Sequence, residues 1–190
     1  MDLSVPVQFS FASMYRLFAA LPIRPDIASE LQPLQERVSG ASWRPAENFH
    51  ITLRFFGHVD RHVAQELDFE LGEIAAPQMK LRLKGAGWFG RREPSALWVG
   101  IDHDQDLARL AGACERAARR LGLPAERRRF VPHVTLAYCH GTTPEDAKAF
   151  AARHADFESS PFWADRFHLY SSHFGKGPSR YVAEADYPLA

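Results

Sequence analysis

Two stretches of the chain alternate apolar and polar positions with the period of two that a half-buried strand produces. In residues 48–57 this alternation puts His50, Thr52 and Arg54 on one face of a predicted strand and Ile51, Leu53 and Phe55 on the other. Residues 130–138 repeat it, with His133 and Thr135 on one face and Val134, Leu136 and Tyr138 on the other. Shorter apolar runs predict strands at 15–21, ended by Pro22, at 79–89 and 96–101, and two closing strands at 162–170 and 181–187. Helical spacing predicts a helix over 26–38, capped by Asp26 and interrupted by Pro33, and another over 62–74, closed by Pro77. The strongest helical pattern follows Asp104, a predicted cap, over 107–121, where Leu107, Leu110, Cys114, Ala117 and Leu121 share one face. A last helix opens at Thr143-Pro144 and runs to residue 153. Strands and helices interleave and there is no Gly-rich nucleotide fingerprint, so the predicted class is α+β or mixed α/β. Residues 1–13 read as an extension ahead of a single domain over 14–190.

Composition narrows the possible partners. With 46% hydrophobic and 24% charged residues among 190, the chain has the make-up of one folded globular domain, which excludes disorder and collagen-like repetition. The 23 basic side chains balance 23 acidic ones, which argues against capture of duplex DNA or an anionic membrane by bulk charge. Any nucleic-acid contact is then local. Cys114 and Cys139 form neither a disulfide framework nor a Cys-x-x-Cys pair, and read as core thiols in a reducing compartment. The N-terminus lacks a secretory signal pattern and no apolar run approaches the ~20 residues that span a bilayer. The expectation is a cytoplasmic monomer with no membrane partner.

The candidate chemistry lies in the repeated strand. His50-Ile51-Thr52-Leu53 and His133-Val134-Thr135-Leu136 are two copies of His-x-Thr-Leu, 83 positions apart, in a chain with only four threonines. Their recurrence suggests a duplicated strand–helix–strand unit. Positions i and i+2 of a strand point the same way, about 6.7 Å apart, so each copy offers an imidazole beside a hydroxyl. Two lobes related by an approximate two-fold would turn both pairs toward one cleft. Histidine can be base in one copy and acid in the other near neutral pH. Two hydroxyl donors between two such rings suit a tetrahedral anion, and a phosphodiester fits. No cysteine or carboxylate cluster has metal-ligand spacing, so neither metal nor cofactor is expected.

The two motifs, the opening Arg16-Leu17-Phe18-Ala19-Ala20-Leu21-Pro22, the flanks Trp43-Arg44-Pro45-Ala46-Glu47-Asn48-Phe49 and Phe130-Val131-Pro132, and the closing Gly175-Lys176-Gly177-Pro178-Ser179-Arg180-Tyr181 together resemble the two-histidine (2H) phosphoesterase superfamily. More narrowly, they resemble its RNA 2′,3′-cyclic phosphodiesterase, or 2′-5′ RNA ligase, family. The resemblance implies a bilobal α+β fold of pseudo-two-fold symmetry, with two antiparallel sheets facing a central cleft and helices outside. It implies hydrolysis of RNA 3′ ends bearing a 2′,3′-cyclic phosphate to 2′-phosphomonoesters without metal or nucleotide, and in some members 2′-5′ joining of RNA. It makes His50 the proton donor and His133 the proton acceptor, with Thr52 and Thr135 holding the phosphate. Many relatives carry a basic residue soon after the second motif, where this chain has Ala137-Tyr138.

Other residues carry two readings each. Arg54 can reach phosphate or be held in a local ion pair. Arg129, with Arg127 and Arg128, and Lys176 and Arg180 can guide RNA or simply be solvated. Tyr138, Phe56 and Trp43 can stack on a base or fill the core. The remaining histidines, His58, His62, His103, His140, His154, His168 and His173, lack a duplicated context and read as surface or structural. Alternative functions are a phosphodiesterase of small cyclic nucleotides or 2′-5′ oligonucleotides, a non-catalytic RNA-end binding module, and a metallohydrolase.

Overall fold

The computed structural model describes residues 14–90, 92–102, 104–173 and 179–190. The expected extension over 1–13, Lys176 and His103 lie outside the described residues. In chain order the elements are β1 (Tyr15–Pro22), α1 (Pro25–Leu31), β2 (Ala41–Trp43), β3 (His50–Val59), α2 (Arg61–Gly72), β4 (Met79–Leu81), β5 (Leu83–Phe89), β6 (Ala96–Ile101), α3 (Gln105–Arg120), β7 (His133–Cys139), α4 (Pro144–Arg153), β8 (Phe162–Ala164), β9 (Arg166–His173) and β10 (Arg180–Pro188).

Both motif-bearing segments become inner strands. The sheet runs β10-β9-β1-β3-β7-β6-β5, with β2 added to β7. It consists of two four-stranded antiparallel halves, one ending in β3 and the other in β7. The halves meet at the partner pair Ile51↔Val134. The two expected sheets are these halves, continuous through that pair.

Helices cover one side. α3 follows β6 of one half yet packs on β3 of the other, α2 lies against α3, β1 and β10, and α4 lies against β5. Leu17, Leu21, Ile51, Leu110, Cys114, Val134 and Leu136 are essentially fully buried in the core beneath the sheet. Apolar surface of this kind, removed from water, is the main stabilising term of the fold.

Local chemistry sets the helix ends. The Asp104 carboxylate accepts from Leu107 N at 2.7 Å, as its predicted cap role requires, and Thr143 Oγ1 accepts from Asp146 N at 3.1 Å. Asp26 is not a cap: α1 starts at Pro25, and Asp26 in its first turn pairs with Arg24 at 2.9 Å. The helix predicted over 26–38 stops at Leu31 and passes into a 3₁₀ turn, Gln32–Leu34, because Pro33 has no N–H to give an α-helical ladder. The strand predicted over 79–89 breaks at Arg82, and the one over 162–170 breaks at Asp165. Their first pieces, β4 and β8, pair with each other as a small second sheet. Among the described residues no helix is long and apolar enough to cross a membrane.

Candidate active site

The register at the junction gathers the two motifs. Because Ile51 opposes Val134 in an antiparallel pair, His50 falls opposite Thr135 and Thr52 opposite His133. Ile51 and Val134 point into the core, fully buried, so the four polar side chains share the opposite face of the sheet, the side of the expected cleft. The histidines then occupy one diagonal of a small quadrilateral and the threonines the other, with diagonals of roughly 7–8 Å.

Each imidazole is held the same way. His50 Nδ1 lies 2.7 Å from Asn48 O, and His133 Nδ1 lies 2.7 Å from Val131 O. A carbonyl oxygen can only accept, so each Nδ1 carries the proton, and in the neutral ring Nε2 is left as the unprotonated nitrogen. Asn48 is itself tied down, since its Nδ2 donates to Ser179 O at 3.0 Å. Burial pushes the His50 imidazole down to about 4, opposed by the Asn48 carbonyl and reinforced by the neighbouring His133 and Arg44 charges. Burial also lowers His133, against the Val131 carbonyl, and the Arg128 guanidinium adds to the effect. Both rings are therefore neutral in the free protein near pH 7.

Aromatic walls enclose the two rings. Phe18 and Tyr181 approach His50 with centroids 5.0 and 5.2 Å away, and Tyr170 lies at 6.3 Å. Phe89 meets His133 edge-on at 4.7 Å, with Trp98 at 6.2 Å. Burial pushes the Tyr170 hydroxyl up to about 12, so it remains protonated. Phe18 and Tyr181 fall in segments that carry the family resemblance, but nothing in the sequence marks any of the five as lining the site, because apolar side chains on the cleft face and on the core face look alike.

A bulge corrects the predicted faces. Ala20 pairs with Thr52 and Ala19 with Arg54, so Leu53 is an extra residue in β3; Trp98 pairs with Thr135 and Leu97 with Ala137, so Leu136 is its counterpart in β7. Each motif thus ends in the same insertion, which reverses the alternation beyond it. Arg54, expected beside His50 and Thr52, turns beneath the sheet, where it is 9% exposed and its Nε donates to Glu115 of α3 at 2.5 Å. Its remaining donors go to Phe55 O and Pro124 O. Phe55 and Tyr138, expected on the core face, emerge instead on the cleft side, 42% and 40% exposed. The Phe55 ring lies 5.4 Å from Phe18.

The other expected contributors are dispersed. Arg129 is exposed on the loop before β7, whereas the neighbouring Arg128 is the one that acts on His133. Arg180 is exposed and alternates with Tyr181, so it faces away from His50. Trp43 packs against Phe150 of α4 at 5.9 Å, and Phe56 is buried in the core. His168, read as structural, lies opposite Ala20, itself opposite Thr52, and its Nδ1 is 3.3 Å from Asp186. Among the described residues, no group of three or more His, Cys, Asp or Glu is placed to hold a metal ion.

Comparison with known proteins supplies the family. The chain is 30% identical over 164 residues to an RNA 2′,3′-cyclic phosphodiesterase of Thermotoga maritima, covering 83% of this chain and 86% of the relative. It is 40% identical over 97 residues to an Aeropyrum pernix protein of the same name, a match that spans about half of each chain, 50% and 55%. The fold is similar to that of E. coli LigT complexed with 3′-AMP, with a TM-score of 0.77 and 25% identity over 93% of this chain and 98% of that one. The profile described as the 2′-5′ RNA ligase superfamily matches residues 23–175, and the chain belongs to that family.

Proposed function

We propose that this protein hydrolyses RNA 2′,3′-cyclic phosphate ends to 2′-phosphomonoesters, using His50 and His133 as an acid–base pair. The observation that carries the reading is the twin anchoring of Nδ1 on a carbonyl, which leaves two Nε2 atoms on one face flanked by two hydroxyls. Relatives named RNA 2′,3′-cyclic phosphodiesterase support the substrate class.

The steps follow from that arrangement. Thr52 and Thr135 donate to the non-bridging oxygens of the phosphate. Neutral His133 accepts a proton from water through Nε2 as the water oxygen attacks phosphorus. The bond from phosphorus to O3′ breaks in line, and His50, protonated on Nε2, gives that proton to the departing oxygen. The product is a 2′-phosphomonoester with a free 3′-hydroxyl; His133 ends protonated and His50 neutral, and exchange with solvent resets both. Because both rings are neutral in the free protein, the acid takes up its proton together with the anionic substrate, whose charge opposes the effect of burial. The order of donor and acceptor follows the family resemblance. A 5′-hydroxyl of a second RNA in place of water would give a 2′-5′ linkage by the same two transfers.

The test is turnover of an RNA bearing a 2′,3′-cyclic phosphate, with the product identified by phosphorus NMR. The expected product is the 2′-phosphate, formed equally well with chelator present. His50→Ala and His133→Ala should each lose roughly 10²–10⁴-fold in rate. On bis(p-nitrophenyl) phosphate, whose leaving group needs no proton, His50→Ala should recover and His133→Ala should not. Full cyclic-phosphate hydrolysis by His50→Ala would overturn the mechanism.

A further inference from the structure

We propose that Arg44 is the cation that grips the reacting phosphate, an inference that rests on the phosphodiesterase reading of this site. β7 changes neighbours along one edge: β3 meets it at Ile51↔Val134, and β2 takes over from Trp43↔Ala137 to Ala41↔Cys139. Arg44 stands at the changeover. Its N–H donates to Leu136 O at 2.8 Å, and its carbonyl accepts from Gln35 Nε2 at 2.6 Å, so its backbone is fixed from both sides. Alternation from Ser42, which pairs with Tyr138, sends the Arg44 side chain to the cleft side. There its Cζ lies over the Tyr138 ring, 5.3 Å from the centroid.

Arg44 is buried, at 8% exposure, and its Nη2 is a buried atom with no hydrogen-bond partner. A buried charge with an idle donor is costly unless a counter-charge arrives, and a phosphate between Thr52 and Thr135 would bring one. The charge on phosphorus oxygens grows from one to two as water adds, so a preplaced guanidinium binds the transition state more strongly than the substrate.

Two other arginines of the region are already engaged. Arg128 precedes His133 much as Arg44 precedes His50, but it is exposed and gives Nε and Nη2 to the Glu126 carboxylate at 3.2 Å each. Arg54 is paired with Glu115 beneath the sheet. Arg44 also adds to the depression of the His50 imidazole, which places its charge within reach of that ring.

The probe is inorganic phosphate, followed through the His50 and His133 ring signals by NMR, in the wild-type protein and in Arg44→Met and Arg44→Lys. Arg44→Met should bind phosphate at least about tenfold more weakly and lose roughly 10²-fold in kcat/KM on a cyclic-phosphate RNA end. Its melting temperature should be unchanged or higher, since the change removes an unsatisfied buried charge. Arg44→Lys should keep part of the binding as a point charge. Phosphate affinity and turnover in Arg44→Met equal to wild type would overturn the assignment, as would a lower melting temperature with affinity intact, which marks a structural arginine. If wild type binds phosphate through Arg44 yet opens no cyclic phosphate, the phosphodiesterase reading fails and the anion site stands. If Arg44→Met hydrolyses at full rate, that reading stands and Arg44 is excluded.

Discussion

Ile51 of β3 and Val134 of β7 oppose each other as Cα partners where the two halves of the sheet meet. Each follows its histidine by one residue, so this contact between two fully buried aliphatic side chains fixes the spacing of all four polar groups on the other side. A one-residue slip would turn one whole motif into the core.

Ile51→Ala should therefore cost about 2–5 kcal/mol, the range for emptying a closed site in a core. Leu31→Ala in α1, equally buried, is the comparison. Both should lower the midpoint of urea unfolding, but in the protein that remains folded only Ile51→Ala should lower kcat.

Acid should weaken the fold through His50. Its imidazole sits at about 4 in the folded protein against about 6.5 unfolded, so the unfolded chain binds the extra proton. The stabilisation is complete above pH 6.5 and is lost as pH falls from there through 4, on the order of 3 kcal/mol. Denaturant titrations across this range should show the slope in wild type and a shallower one in His50→Gln.

The same depression shifts the rate profiles. The pH dependence of kcat/KM reports the free protein, in which both imidazoles are lowered, so its optimum should fall below 6.5. The kcat profile reports the complex, in which phosphate raises the acid, and should peak at higher pH. Coincident optima in the two profiles would contradict substrate-linked proton uptake.

Thr52→Val and Thr135→Val keep side-chain shape and remove the hydroxyls. Each should lower kcat/KM roughly 10²-fold, the effect of one oxyanion donor. Unchanged steady-state kinetics in either variant would remove that hydroxyl from the site.

Arg54 offers a contrast with Arg44. Arg54→Ala strands the Glu115 carboxylate and should cost about 3 kcal/mol of stability. KM for a cyclic-phosphate RNA end should not move, because the lost side chain lies beneath the sheet.

Legible in the sequence alone were the strand identity of both motifs, the imidazole–hydroxyl pairing in each, the cap at Asp104, the helix opening at Thr143-Pro144 and the interleaved fold class, because these depend on neighbours within a few positions. Its alternation failed beyond Leu53 and Leu136. A bulge is defined by the partner strand, and the partners Ala19, Ala20, Leu97 and Trp98 are remote in sequence. For that reason the faces of Arg54, Phe55 and Tyr138 were decided only in the assembled sheet. β2 was likewise silent, since three residues carry no period, and with it the burial of Arg44 beside the site. Local periodicity sets which residues could act together; pairing between distant strands and exclusion of water decide which of them do.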